Sequence, residues 1–175
     1  MSIPAKYLIL PFVIVVGARV ALGQPAGSPA ELARTKATAL ELCVALQQQA
    51  DLLEEQGQPS GFLRRSLGLR AGLDDAQQEV LLRVAARLRA RVTPLDQKAQ
   101  TIIQAARQKY PGGRLQPGEL PPPLPRELVV LQQQRDMWVD QAVQELDQEL
   151  GSGGVQKLTD YLIDPRGKNQ AHPGQ

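Results

Sequence analysis

One run of residues limits the fold more than any other. Apolar side chains recur at Leu81, Ala85, Leu88, Val92, Leu95, Ala99, Ile102, Ala106 and Tyr110, in alternating steps of four and three. That spacing lines one face of an α-helix and holds it against a second helix along its length. A strand would alternate with a period of two. Pro94 interrupts the run, where it removes one hydrogen bond and bends the helix. The expected element is one long kinked helix over about 75–110.

The start of that helix is also written in the sequence. In Leu73-Asp74-Asp75-Ala76-Gln77, Asp74 is placed to cap the first turn and Gln77 to answer it three residues later, with Leu73 as a hydrophobic staple. Ser28-Pro29-Ala30-Glu31 repeats the logic earlier in the chain, with Pro29 at the first helical position. The helix it opens carries Leu32, Ala39, Leu42, Cys43, Leu46, Ala50 and Leu53 and is expected to stop near Gln56, before Gly57. Residues 57–72 read as a connector. Phe62 to Leu67 supplies one or two helical turns there, and Gly68 and Gly72 break anything longer.

Pro111-Gly112-Gly113 ends the long helix, and Pro121-Pro122-Pro123 makes the stretch to Pro125 a stiff, extended linker. Another helix is expected over about 126–150, with Leu128, Leu131, Trp138, Ala142, Leu146 and Leu150 along one side and Gly151 at its end. A short helix over about 155–163 follows, carrying Val155, Leu158, Leu162 and Ile163. Aromatic residues are only 3% of the chain while 42% is hydrophobic, so Leu, Ala and Val, with many Gln, dominate. Leu, Ala and Gln are helix formers, whereas strands favour β-branched and aromatic residues. The fold class is therefore all-α: an antiparallel helical hairpin or bundle of three main helices, with short helices between and after them.

The first 23 residues have the parts of a secretory signal peptide. Lys6 gives the positive start, Tyr7 to Val16 the short apolar run, and Ala21-Leu22-Gly23 a small-x-small cleavage site. The run is too short to span a bilayer, and Arg19 ends it, which disfavours the alternative of an uncleaved anchor. The reading divides the chain into a signal at 1–23, a linker at 24–28, a helical domain at 29–163 containing the Pro-rich linker at about 111–125, and a polar, disordered tail at 164–175. The protein is expected outside the cytoplasm, periplasmic or secreted, with no stable membrane span once the signal is cut.

Cleavage also changes the charge balance. Lys6 and Arg19 leave with the signal and no acidic residue does, so the precursor's net charge of +2 falls to zero. A nucleic-acid binder would need a basic excess, so nucleic acid is not an expected partner.

Few residues offer chemistry. The single histidine, His172, stands in the tail without partners to fix it as a base or metal ligand. Asp74-Asp75 belongs to a helix start and Glu54-Glu55 to a helix end. No phosphate loop, nucleophile elbow or zinc-protease sequence occurs, so the chain reads as non-enzymatic, without cofactor or metal. Cys43 lies on an apolar helix face and reads as a small core residue. Being the lone cysteine, it is also the only candidate for an intermolecular disulfide.

What remains are surfaces. Arg83, Arg87 and Arg91 stand i, i+4, i+8 on the long helix, with Arg89 beside them and Arg64 and Arg65 shortly before. The later helix is acidic at Asp136, Asp140, Glu145, Asp147 and Glu149. One reading pairs the two faces inside the bundle. The other makes the arginines part of a mixed basic and apolar groove that receives a protein partner or unfolded client. Three amphipathic helices enclose a thin core, which leaves self-association, in the simplest case a homodimer, open to the chain.

The Leu73-Asp74-Asp75-Ala76-Gln77 start resembles the LTxxQ signature of the Spy/CpxP family of periplasmic helical stress proteins. Leu73 and Gln77 match, and Asp74 stands where the family has threonine; both types cap helices. A second copy is incomplete, since Leu158-Thr159-Asp160-Tyr161-Leu162 has Leu162 in place of glutamine. The resemblance implies cradle-shaped dimers that act as ATP-independent chaperones or inhibit envelope-stress sensors. A structural or accessory subunit of an envelope assembly is the alternative function.

Overall fold

The computed structural model describes residues 28–108 and 125–164. The signal, the linkers at 24–27 and 111–124, Tyr110, His172 and the polar tail from 165 lie outside them. Four helices make up the described chain: α1 (Pro29–Glu55), α2 (Gly61–Ala71), α3 (Asp75–Gln108) and α4 (Arg126–Ile163). No strand occurs among the described residues, and no helix there is long and apolar enough to cross a membrane.

Both capped starts form. The Ser28 hydroxyl accepts from the Glu31 amide at 3.2 Å, with Pro29 at the head of α1. At α3 the box is reciprocal: the Gln77 amide donates to Asp74 Oδ1 at 2.8 Å, and the Asp74 amide donates to Gln77 Oε1 at 3.2 Å. A cap of this kind contributes about 1 kcal/mol. Gln77 Oε1 also receives Lys157 Nζ at 3.3 Å, so the same glutamine ties the end of α4 to the start of α3.

Two elements differ from the expected ones. α2 runs three turns, straight through Gly68, and closes only at Gly72. Gly68 belongs to the helix because of a neighbour: a Cβ there would lie 2.8 Å from Cγ of Gln78 on α3. The missing side chain is therefore used for close helix packing, which outweighs the weak helix propensity of glycine. Gln78 in turn reaches back with Nε2 to the Leu73 carbonyl at 3.0 Å.

The second difference is α4, where the expected helices over 126–150 and 155–163 join almost end to end. Gly151, at φ 70° and ψ 165°, is the single non-helical residue between them. This region of backbone space is essentially restricted to glycine. The bend turns the last segment back so that Leu158 and Thr159 are buried.

The core joins all four helices. Leu40, Cys43 and Val44 of α1, Leu67 of α2, Leu81, Val84, Leu88 and Val92 of α3, and Val139, Val143, Leu146 and Leu158 of α4 form one cluster. Fully burying each large aliphatic chain is worth about 1.5–3 kcal/mol. The α1 face is rotated from the expected one. Leu40, Val44 and Gln47 point inward, whereas Leu32 and Leu42 are exposed. α1 carries leucines on more than one side, so its period alone did not select the buried face.

Burial fades at the far ends of the two longest helices. Ala99 is the last buried residue of α3, and Val139 the first of α4.

Candidate partner-binding surface

The arginine ridge of α3 meets the acidic half of α4. Arg83 Nη2 lies 2.7 Å from Glu149 Oε2, and Arg87 Nη1 lies 2.8 Å from Glu149 Oε1. Arg91 Nη1 lies 3.2 Å from Glu145 Oε1, and its guanidinium stacks 4.7 Å from the centre of the Trp138 ring. Farther along, Arg135 of α4 reaches Asp96 of α3 at 3.4 Å and Glu41 of α1 at 2.7 Å. Residue numbers rise along α3 as they fall along α4. The two charged faces form a ladder across the helix pair, so the ridge is not a bare cationic strip.

Arg64 and Arg65 are paired as well. Arg64 Nη2 sits 2.5 Å from Asp51 Oδ1 and 2.7 Å from Glu54 Oε2, and Arg65 Nη2 sits 3.1 Å from Glu79 Oε1. Arg89 also bonds Asp51, and the Ser60 hydroxyl donates to Glu54. Exposed pairs of this kind contribute about 0–1 kcal/mol each. Their main effect here is to set the register of α2 and α3 against α1.

These pairings move the carboxyl groups. Hydrogen bonds from Arg83 and then Arg87 hold Glu149 below the usual carboxylate range. Asp51 is lowered chiefly by its hydrogen bond from Arg89, and Glu54 chiefly by that from Ser60, then Arg64. Asp96 moves the other way because burial disfavours its charge. A carboxylate with a depressed folded value stabilises the fold fully above its unfolded value, near pH 4, and loses that contribution as pH falls through the folded value. Three depressed groups oppose one raised group. The denaturant midpoint is therefore expected to hold from neutrality to about pH 5 and to fall below about pH 4. A midpoint that stays level or rises on acidification would show that these pairings of Glu149, Asp51 and Glu54 add nothing.

Beside the ladder, on the adjoining face of α3, the structure opens a groove of about 740 Å³. Leu82, Ala86, Ala90 and Pro94, spaced by four, form its floor, with Thr93 beside them. Arg64, Arg83, Arg89, Glu79 and Gln47 stand around it. Two of the candidate arginines, Arg64 and Arg83, thus share one concavity, whereas Arg65, Arg87 and Arg91 do not line it. The small-residue floor lacked a signal of its own because Ala86 and Ala90 fall outside the core stripe. Their shared spacing of four with Leu82 and Pro94 is the pattern that marks it.

The groove has hydrogen-bonding capacity to spare. Arg83 uses Nε and Nη2 on Glu149 Oε2, while a guanidinium carries five N–H donors. Pro94 has no N–H to give the Ala90 carbonyl, so the helix loses one internal bond at the groove floor.

Cys43 is fully buried in the core, and burial pushes its thiol up to about 12. A thiolate is the reactive form, so a disulfide to another chain would require the core to open first. The described residues contain no group of three or more His, Cys, Asp or Glu side chains that could hold a metal ion.

The fold and this surface define the molecule as an all-α helical bundle with a basic-rimmed groove. The chain matches no protein-family model, no curated protein and no solved structure.

Proposed function

We propose that this is a non-enzymatic, exported protein of the bacterial cell envelope that holds a protein segment in the groove along α3. Its manner of action would be that of the Spy/CpxP proteins, chaperone-like or stress-sensing, on an antiparallel helical hairpin braced by α1 and α2. The observation that carries the reading is the groove itself, with an apolar floor of small residues and a rim of arginines that retain free donors. Ala86 and Ala90 let a polypeptide backbone approach closely. The spare N–H groups of Arg64, Arg83 and Arg89 are then available to carbonyls and carboxylates of the bound segment, and the Ala90 carbonyl to one of its amides. Such contacts recognise backbone and charge more than particular side chains, which suits a client holder. The leader-like first 23 residues support export, and the Leu73–Gln77 start supports the family likeness.

Filling the groove tests this. Ala86→Tyr with Ala90→Tyr places two rings over the floor at exposed helix positions, so the fold is expected to persist by circular dichroism. Suppression of aggregation of a model client should weaken at least about tenfold, equivalent to 1.4 kcal/mol of binding. Undiminished suppression by the folded variant would sink the reading. Co-purification distinguishes the accessory-subunit alternative, which would bring down one stoichiometric partner in place of many minor ones.

A further inference from the structure

Phe62 is the one phenylalanine after the first 23 residues, and among the described residues it stands 73% exposed. Leu69, seven residues on and so on the same face of α2, is 47% exposed. The two lie about 10 Å apart along one line of the helix. The opposite side of α2, through Leu67, Gly68 and Ala71, is packed into the bundle. The buried core holds only Leu, Val, Ala and Cys43, so a phenylalanine would have added apolar area there. Residues 165–175, which follow α4, hold no large apolar side chain that would take up this ring. A lone exposed apolar residue is ordinary. What sets this pair apart is the charge beside it.

α2 carries three arginines and no acidic residue. Arg64 turns inward to Asp51 and Glu54 of α1. Arg65 and Arg70, both exposed, flank the Phe62–Leu69 line, one on either side by helical spacing. Arg65 meets Glu79 of α3 in a pair exposed to water, and Arg70 makes no ion pair among the described residues. Residues 56–63, which lead into the line, hold no charge at all. Of the acids beyond the two ends, Glu54 holds Arg64 and Asp74 caps α3, which leaves Glu55 and Asp75. Arginine stems are long enough to keep their guanidinium groups at a polar level while an apolar line beside them sinks deeper.

We propose that this face of α2 rests on an anionic lipid bilayer, with Phe62 and Leu69 inserted and Arg65 and Arg70 on headgroup phosphates. The helix lies in the plane of the surface and does not span it. Two apolar side chains are too small a patch for a specific protein interface, which covers about 1,200–2,000 Å². A bilayer needs no matching shape, because its hydrocarbon closes around whatever ring enters it. Contact through so few groups is weak and reversible, on the scale of the roughly 10⁴ M⁻¹ given by one myristoyl chain. Its test is independent of the groove along α3, which none of these four residues lines.

Co-sedimentation with sucrose-loaded vesicles decides it, using phosphatidylglycerol and phosphatidylcholine in equal parts, and phosphatidylcholine alone as the neutral control. The chain from Gln24 onward is used, because it carries all four helices and the whole core without the apolar run at 7–16, which would enter lipid by itself. It should bind the anionic vesicles at low salt and the neutral ones about tenfold less. Phe62→Ser with Leu69→Ser should lower the partition at least about tenfold, and Arg70→Glu at least about fivefold. Phe62→Trp adds a ring whose emission bromine atoms on the lipid chains should quench, whereas Trp138 of the parent should keep its own. All of the substituted positions are exposed, and circular dichroism with thermal melting confirms that each variant is folded. No binding to anionic vesicles, equal binding to neutral ones, or equal binding by the serine variant would overturn the proposal. So would a protein partner lost with Phe62→Ser from a chain that leaves vesicles unbound.

Discussion

Truncating Leu146 to alanine should remove about 2–5 kcal/mol of stability, a large share of the roughly 5–15 kcal/mol typical of a domain. Leu146 is fully buried on the inner face of α4, within the cluster that joins all four helices. Its replacement removes the hydrophobic transfer energy and leaves a cavity whose walls relax only in part. The thin layer of helices makes a large refilling movement costly, because α1, α2 and α3 all rest on the same cluster. The measurement is the denaturant midpoint, with the slope unchanged if the unfolded state is unaffected. Leu42→Ala is the control from the exposed side of α1 and should change stability by no more than about 0.5 kcal/mol. Equal losses at the two positions would contradict the placement of the core.

The second large effect is expected at Gly151. Its φ of 70° with ψ of 165° is nearly closed to any residue with a Cβ, at a cost of about 1–3 kcal/mol. Gly151→Ala forces a choice between bearing that strain and straightening α4. A straight α4 would carry Leu158 and Thr159 out of the core and separate Lys157 from Gln77. Gly153, only two residues on, has no positive φ, and a Cβ there would meet nothing within 4 Å. Gly153→Ala should therefore be neutral or stabilising by up to about 1 kcal/mol, from helix propensity alone. Paired denaturation curves for the two variants read the difference directly. Similar behaviour of both would mean that the bend is not a structural requirement.

These two positions also show what a sequence reading reaches. Asp74 with Gln77 and Ser28 with Glu31 announce their helices because capping is local chemistry, complete within four residues. The α3 stripe is legible through Leu81, Ala85, Leu88, Val92 and Ala99, all buried. The same stripe does not say where cover ends, so Ile102 looks in sequence like any other core position. Gly68 reads as a breaker until the approach of Gln78 across a helix pair gives its missing Cβ a purpose. Gly151 is legible as a stop but not as a hinge between two helices that share one core. The arginine ridge held two readings that composition could not separate. The distances to Glu145 and Glu149 show how much of its charge is committed inside the molecule.

That commitment changes how the ridge contributes to function. Attraction of a client by a bare row of three cations would be strong and salt-sensitive. Arg87 and Arg91 are instead held by α4, and the rim of the groove falls to Arg64, Arg83 and Arg89, each sharing a carboxylate. Binding is then expected to depend more on the shape of the Ala86–Ala90 floor than on ionic strength. With the proposed leader removed, the chain would have no net charge to add long-range steering.

Site-specific photo-crosslinking tests that claim most directly. A photoreactive residue at position 90 of the full chain, expressed in a bacterial envelope, should yield adducts to protein segments held in the groove. The same group at exposed Asp140 on α4 serves as the reference. Adducts from position 90 well above those from position 140, and lost on adding Ala86→Tyr, are the predicted result. Equal yields from the two positions, or none from position 90, would contradict the groove as the place where this protein binds its partners.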